Sequence, residues 1–418
     1  MMIEKIVAQN FLCFKDITLD LSGPKGPRKT VLIYGENGSG KTNLLMSLRF
    51  LKSSMDTRIA SRPSTLSLDG TFRAGYDMRS LYSEYHMIGS ASPIHLEFTF
   101  NINGKDAVYR MSVSEKGLID EELIYIMNGR KATLFSISEG KMEMNRLFTG
   151  AYLNDKRIEV ERYWGPHSFL SMLHEDTVDL NEWFIDSNIR PELMDVVHHI
   201  AGMMLCFPSQ KVTSINPLMN PKKGQMPIEF ETRMDALVDA MDHFFTGLYS
   251  DIEGVRYVKT RGERTVDYEL VFDKRVEGKV ITVPCSKESS GTQRLVDEFY
   301  NIMASIHGDT VVIDEMDSGI HDVLMMDVFN SIKDSIGGQL IATTHNTMLL
   351  QNSDPNSTFI LDIDGEGCRS IRSISEITRT QRTNNNTKRY LEGDLGGIPV
   401  TGYVDLKDVA DTLFRKSH

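Results

Sequence analysis

Apolar residues recur on a strand-like beat at the start of the chain: Ile3, Ile6, Phe11, Phe14, Ile17, Leu19 and Leu21. A period of two predicts half-buried strands over 3–21. "SGPKGPRK" breaks the beat and reads as a loop. "TVLIY" is a short continuous apolar run, the pattern of a parallel strand covered on both faces, and "TNLLMSLRFLKS" behind it reads as a helix. Residues 52–92 are polar and Ser/Gly-rich with little periodicity. From Ile94 to Asn145, short alternating segments are cut by NG, EKG, NGR and EG, which are hairpin signals, so antiparallel strands are expected over about 93–148. Residues 160–250 read as helical, with Phe230, Met234, Leu237, Met241, Phe244 and Leu248 on one stripe. That stripe is expected to be packing surface rather than a ligand box. "RYVKT" and "VDYELVF" follow as two strands around an RGE turn, then a helix from "SSGTQRL" and two buried strands, "TVVIDE" and "QLIATTH".

The junction between "TVLIY" and its helix carries the first chemistry. Gly35-Glu36-Asn37-Gly38-Ser39-Gly40-Lys41-Thr42 has the spacing of a phosphate-binding loop, in the strand–loop–helix context that the motif needs. Its glycines let backbone N–H groups converge at a helix N-terminus, where the dipole favours phosphate. Lys41 would reach the β- and γ-phosphates of ATP, and Thr42 would place its hydroxyl on Mg²⁺. The second site is Asp314-Glu315. A buried strand that ends in two carboxylates is costly unless cations or hydrogen bonds compensate. Asp314 is the candidate Mg²⁺ ligand, and Glu315 the candidate general base for an attacking water. On its own the dipeptide would read as a solvated turn; the P-loop upstream reverses that.

Two further segments take meaning from their order. "SSGTQR" (289–294) opens a predicted helix and resembles the ABC signature, Ser-Gly-Gly-Gln. Ser290, Gly291 and Gln293 match and Thr292 departs. Its helix N-terminus and the Ser290 hydroxyl make a second anion site. The resemblance implies that this site serves a nucleotide held by another protomer. His345, at the carboxyl end of a strand, resembles the switch histidine of ABC ATPases, and "MDSGIH" (316–321) occupies the place of their D-loop, so Asp317 and Ser318 would reach across a dimer interface. The wide separation of the P-loop from Asp314 also resembles the ABC and SMC class. The glutamine that usually senses Mg²⁺ and γ-phosphate is missing, since no Gln occurs between Gln9 and Gln210. A residue near Ser90–His95 is the candidate substitute.

The chain as a whole resembles AAA15-type bacterial ATPases, related to RecF and to the overcoming-lysogenisation-defect (OLD) proteins. The residues that carry this are "IVAQNFLCFKD", "SSGTQRL", "VVIDEMDSGIH", "QLIATTHNTMLL" and the ending "TKRYLEGDLGGIP" (387–399). The resemblance implies an α/β P-loop NTPase of ABC-ATPase type with an antiparallel β lobe and an inserted helical lobe. It also implies ATP hydrolysis between two protomers and, in many members, a role in anti-phage defence beside a separate effector such as a nuclease. The expected domains are 1–92, the N-terminal half of the core; 93–150, the β lobe; 151–254, the helical insertion; 255–365, the C-terminal half; and 366–418, a tail. OLD proteins carry their own nuclease domain with an Asp-x-Asp. "LDIDGEG" contains Asp362 and Asp364, but about 55 residues follow, too few for such a domain, and a hairpin turn is expected there instead.

Composition narrows the partners. The 418 residues carry 46 Lys+Arg against 58 Asp+Glu, a formal charge of −12, which argues against a broad nucleic-acid-coating surface. DNA contact is possible but not required. The basic cluster 379–390 is expected to be a solvated loop or partner contact before a nucleic-acid site. The four dispersed cysteines, the lack of a signal-like block and the lack of an apolar run of membrane length point to a reducing, cytoplasmic setting. The reading competes with two others: a RecF-like repair ATPase that binds DNA directly, and a scaffold that holds ATP with little turnover.

Overall fold

The computed structural model describes residues 2–60, 76–127, 129–144, 151–208, 220–377, 385–398 and 404–414. The chain opens with strands β1 (Met2–Phe11) and β2 (Phe14–Asp20), then β3 (Thr30–Gly35), the loop 36–40, and helices α1 (Lys41–Ala60) and α2 (Met78–Tyr85). Five strands follow: β4 (Ile94–Ile102), β5 (Lys105–Ser114), β6 (Gly117–Met127), β7 (Arg130–Ser138) and β8 (Lys141–Met144). Next come α3 (Ala151–Tyr163), α4 (Phe169–Asp179), α5 (Glu182–Asn188) and α6 (Pro191–Gly202), then β9 (Met204–Cys206) and β10 (Lys223–Pro227). Helix α7 (Glu231–Leu248) precedes β11 (Ile252–Arg261), β12 (Thr265–Val276) and β13 (Lys279–Pro284). The last third holds α8 (Ser290–His307), β14 (Thr310–Ile313), α9 (Asp322–Ile332), β15 (Gln339–Thr343), β16 (Thr358–Ile363), β17 (Arg369–Ser373), α10 (Ile374–Ile377), α11 (Asn386–Leu391) and α12 (Leu406–Phe414).

The central sheet has the order β17-β16-β3-β15-β14-β9, parallel except for β17. β3 lies inside it between β15 and β16. Its two faces serve different cores: Val31 and Ile33 pack with α1 and the first antiparallel sheet, while Leu32 and Tyr34 pack with the α8–α9 side. A period-two strand buried on both faces produces the unbroken apolar run read from the sequence.

The antiparallel strands expected over 93–150 are not a sheet of their own. β1 pairs with β4, so the order is β2-β1-β4-β5-β6-β7-β8 and the N-terminal hairpin extends the same surface. Edge pairing with β1 is non-local, and alternation along the strand cannot announce it. The expected helical stretch contains α3–α7, but Met204–Cys206 inside it joins the parallel sheet beside β14. β10 and β13, neither of which the sequence reading placed, pair with β12 along the same edge, with β11 on its other side. Of the predicted stripe, Met234, Leu237 and Met241 are buried and Phe230, Phe244 and Leu248 partly buried, with Phe245 buried beside them, which makes the stripe packing surface. Asp362 is the last residue but one of β16, and Asp364 opens the hairpin into β17, where its backbone N–H donates to the Cys368 carbonyl (3.0 Å). Among the described residues no helix is long and apolar enough to cross a membrane.

Candidate functional site

β3 delivers its chain to the C-terminal edge of the sheet, and the loop 36–40 turns into α1. Gly35, Gly38 and Gly40 all have positive φ, at 156°, 84° and 111°. A Cβ on Gly35 would stand 2.5 Å from the Leu361 carbonyl oxygen, and one on Gly40 would stand 2.8 Å from Cys13 Sγ and 2.9 Å from the Phe14 ring. The loop is thus squeezed between β16 and the β1–β2 turn, and only glycine fits those two positions. Asn37 and Gly38 are exposed at its crest. Ser39 is fully buried, and its hydroxyl has no hydrogen-bond partner, the kind of vacancy that a bound anion or water satisfies.

Lys41 donates to the Gly35 carbonyl (2.8 Å) and the Glu36 carbonyl (3.0 Å). An ammonium has three protons, so two hold the side chain along the loop and one remains for a ligand oxygen. Burial lowers the Lys41 pKa from its ordinary value, against which Asp314, Glu315 and Asp317 pull it back up. The cation is embedded in carboxylate charge.

β14 ends one strand over from β15. Thr42 Oγ1 donates to Asp314 Oδ2 at 2.8 Å, and Thr343 Oγ1 donates to Asp314 Oδ1 at 2.7 Å. Asp314 is buried, while Glu315 and His345 stand exposed beside it. Glu315 adopts φ +51°, unusual for a residue with a side chain, and its N–H donates to Thr343 Oγ1 (2.7 Å). Asp317 accepts from the His345 N–H at 3.2 and 3.3 Å. It therefore engages its own chain here, although the sequence reading assigned it to a neighbour. His345 is solvent-accessible yet partly desolvated by the surrounding loops; that desolvation first, then the Lys41 charge, lowers its pKa and favours a neutral imidazole. Lys41, Thr42, Asp314, Glu315, Asp317 and His345 thus form one cluster.

The residues suit Mg²⁺. Octahedral Mg²⁺ with oxygen at about 2.1 Å has ligand–ligand edges of about 3.0 Å, and the Thr42–Asp314 oxygens are 2.8 Å apart. The described residues contain no group of three or more His, Cys, Asp or Glu that could hold a metal ion. A site with few protein ligands and much water is the usual Mg²⁺ arrangement beside phosphate.

The signature-like segment meets this cluster through Arg294. Ser289, not Ser290, caps α8, accepting from Thr292 N at 3.1 Å. Ser290 is left exposed. A Cβ on Gly291 would lie 2.8 Å from the Gly319 carbonyl oxygen, so glycine is needed for contact with the 316–321 loop. Gln293, expected to offer donors, folds back instead onto the Glu288 carbonyl (2.9 Å). Among the described residues, the side chains of 289–294 bond to Tyr249, Ser286, Glu288, Thr292, Asp314 and Glu298, none to the P-loop.

Sequence reasoning missed three contributors. Thr343 binds both carboxylate residues; the polar doublet that ends "LIATT" was its signal. Arg294 donates to the Asp314 carbonyl (3.4 Å) and pairs with buried Glu298 (2.8 Å). Arg369, from β17, donates to the Ser39 carbonyl (2.9 Å) and the Cys13 carbonyl (3.3 Å), tying the P-loop to the β1–β2 turn. No local pattern announces it. The Ser90–His95 stretch bonds to Asn10, His86 and Ser112. The part of the basic cluster at 379–384 lies outside the described residues.

Comparison with known proteins agrees with this geometry. A family model described as "AAA domain" matches residues 5–181. A second, described as "AAA domain, putative AbiEii toxin, Type IV TA system", matches 221–351. Both family models describe AAA-type ATPase domains, in agreement with the P-loop and the carboxylates placed beside it. No curated protein matches the chain. Solved structures that align include an SMC head bound to the C-terminal winged-helix domain of ScpA, at 15% identity, TM-score 0.47, covering 90% of this chain and 100% of that one. The SMC head of Thermotoga maritima aligns at 14% identity and TM-score 0.41, covering 89% and 99%. A Pyrococcus furiosus SMC head with an extended coiled coil, bound to the C-terminal domain of ScpA, aligns at 15% and 0.42, covering 90% and 97%.

Proposed function

We propose that this chain is a Mg²⁺-dependent ATPase that closes as a head-to-tail dimer on two ATP molecules and thereby switches a partner effector. The observation that carries the reading is the joint of Thr42, Asp314 and Thr343 at 2.7–2.8 Å, with Lys41 and Glu315 beside it. Loop amides and Lys41 bind the triphosphate. Bound Mg²⁺ would neutralise developing phosphate charge, with Thr42 and Asp314 as its protein ligands. Glu315 accepts the proton of the attacking water, and neutral His345 donates to the γ-phosphate. The exposed N-terminus of α8 at Ser290–Gly291 serves the ATP of the second copy; Gln293 joins only if its amide leaves the Glu288 carbonyl.

The effector is a separate protein such as a nuclease, and bacterial anti-phage defence in the cytoplasm is the setting. The toxin–antitoxin wording of the model over 221–351 agrees with that setting. The test is a pair of variants. Lys41→Ala should abolish ATP binding. Glu315→Gln should bind ATP, lose turnover and accumulate as a dimer in size-exclusion light scattering. Parental turnover by Glu315→Gln would remove the base assignment, and a monomer under saturating Mg·ATP would remove the shared site.

A further inference from the structure

The segment 385–398 carries a motif that the proposed chemistry leaves unused. It folds back onto the nucleotide site at two places. Gly397 N–H donates to Asp362 Oδ1 (2.9 Å) at the end of β16. A Cβ on Gly397, whose φ is +68°, would lie 2.7 Å from Ile360 Cγ2 and 3.2 Å from the Cα of Gly35, the first P-loop glycine. Tyr390 closes the turn, its hydroxyl donating to the Gly397 carbonyl (3.0 Å). The Tyr390 ring packs edge-on against Tyr34, centroids 5.6 Å apart. Tyr34 immediately precedes Gly35, and its hydroxyl donates to the carbonyl of Asn346 (2.9 Å), the residue after His345. Thr387 Oγ1 donates to the Thr347 carbonyl (3.1 Å).

We propose that Tyr390 and Gly397 are positioning residues of the ATP site, which hold the first P-loop turn and the His345 loop in register from behind. The inference rests on the ATPase reading and extends it. The tail touches both elements that meet the γ-phosphate, and Tyr34 joins them. Gly397 is packed closely enough on Ile360 and Gly35 that no side chain fits between them, so a shift of Gly35 on nucleotide binding is felt at this turn. In a chain without the usual glutamine sensor, this turn is a route by which nucleotide state reaches the residues that follow it.

The experiment combines hydrogen exchange on the unmodified chain with kinetics of three variants. Addition of Mg·ATP should raise amide protection across 385–398 as well as across 35–42. Gly397→Ala should weaken ATP binding about tenfold, because a methyl at φ +68° crowds Ile360 and the Gly35 backbone together and strains the turn that backs the P-loop, a small misplacement of a binding group. Tyr390→Ala should lower kcat about tenfold or more with ATP affinity within about threefold, as His345 loses its register. Tyr390→Phe, which keeps the ring contact, should restore kcat to within about threefold of the parent. Unchanged kcat and affinity per folded molecule, with only a lowered melting temperature, would make the tail a structural plug and overturn the proposal. So would unchanged exchange at 385–398 on ATP binding, a result that stands even where a variant fails to fold. A Phe variant as impaired as Ala would overturn the ring-contact route. A parent that fails to bind ATP would overturn the ATPase reading itself, and this inference with it.

Discussion

Thr343 gives the sharpest test of the site's construction. Its single hydroxyl donates to Asp314 Oδ1 and accepts from Glu315 N–H, each at 2.7 Å, in a fully buried position. Thr343→Val keeps the shape and removes both bonds. A hydrogen bond to a charged acceptor contributes about 1.5–3 kcal/mol, and a buried N–H left unpaired costs about 1–3 kcal/mol. The sum is about 2.5–6 kcal/mol, large against the stability of a typical domain, which is about 5–15 kcal/mol. The loss is unevenly placed. Glu315 sits at φ +51°, a conformation that costs on the order of 1–3 kcal/mol and persists only where its surroundings enforce it. Without the Thr343 acceptor the Glu315 backbone is expected to relax, carrying its carboxylate off the line of attack. Urea unfolding should show the stability loss, and steady-state turnover should show kcat down by about tenfold to hundredfold with KM much less changed. Thr343→Ser should recover both. A Val variant with parental kcat per folded molecule would refute the argument that this hydroxyl sets the carboxylate geometry.

Two further outcomes follow from single contacts. Gly291→Ala places a Cβ 2.8 Å from the Gly319 carbonyl oxygen, so either the start of α8 or the 316–321 loop must move; a loss of about 1–3 kcal/mol is expected in chemical denaturation, together with reduced turnover. His167 is pushed down to about 4 by burial, with Arg58 adding to the effect, and its Nδ1 has no partner. Between pH 6.5 and about 4 the unfolded chain binds this proton and the folded chain does not. Stability should therefore rise with pH across that window and level off above it, a swing of about 3 kcal/mol from this residue. A denaturation series from pH 4 to 7 should show a shallower slope for His167→Gln than for the parent, and equal slopes would contradict the assignment.

Much of the central sheet was legible because its signals are local. "TVLIY" reads as a buried strand since both faces of β3 meet apolar neighbours, and the glycine spacing of 35–42 marks a loop whatever surrounds it. Hairpin turns between β4 and β8 were announced by their own Gly and Asn residues. The edges of sheets were not legible. β9 is three residues inside a helical stretch, and β10 and β13 show no strong alternation. Their pairing partners, not their own patterns, make them strands. The start of α8 was likewise settled by the three-dimensional structure, in which Ser289 caps the helix and Ser290 is exposed.

From the sequence alone came the nucleotide loop, the paired carboxylates and the order of the motifs, because each is a run of neighbouring residues whose chemistry is complete within a few positions. Tertiary structure alone decided which distant groups meet. Asp314 reaches Thr42 across 272 residues of chain, Arg369 reaches Ser39 across 330, and Gly397 lies against Gly35. Those meetings follow from the strand order β16-β3-β15-β14. Long-range pairing fixes that order, and no periodicity within a single strand encodes it.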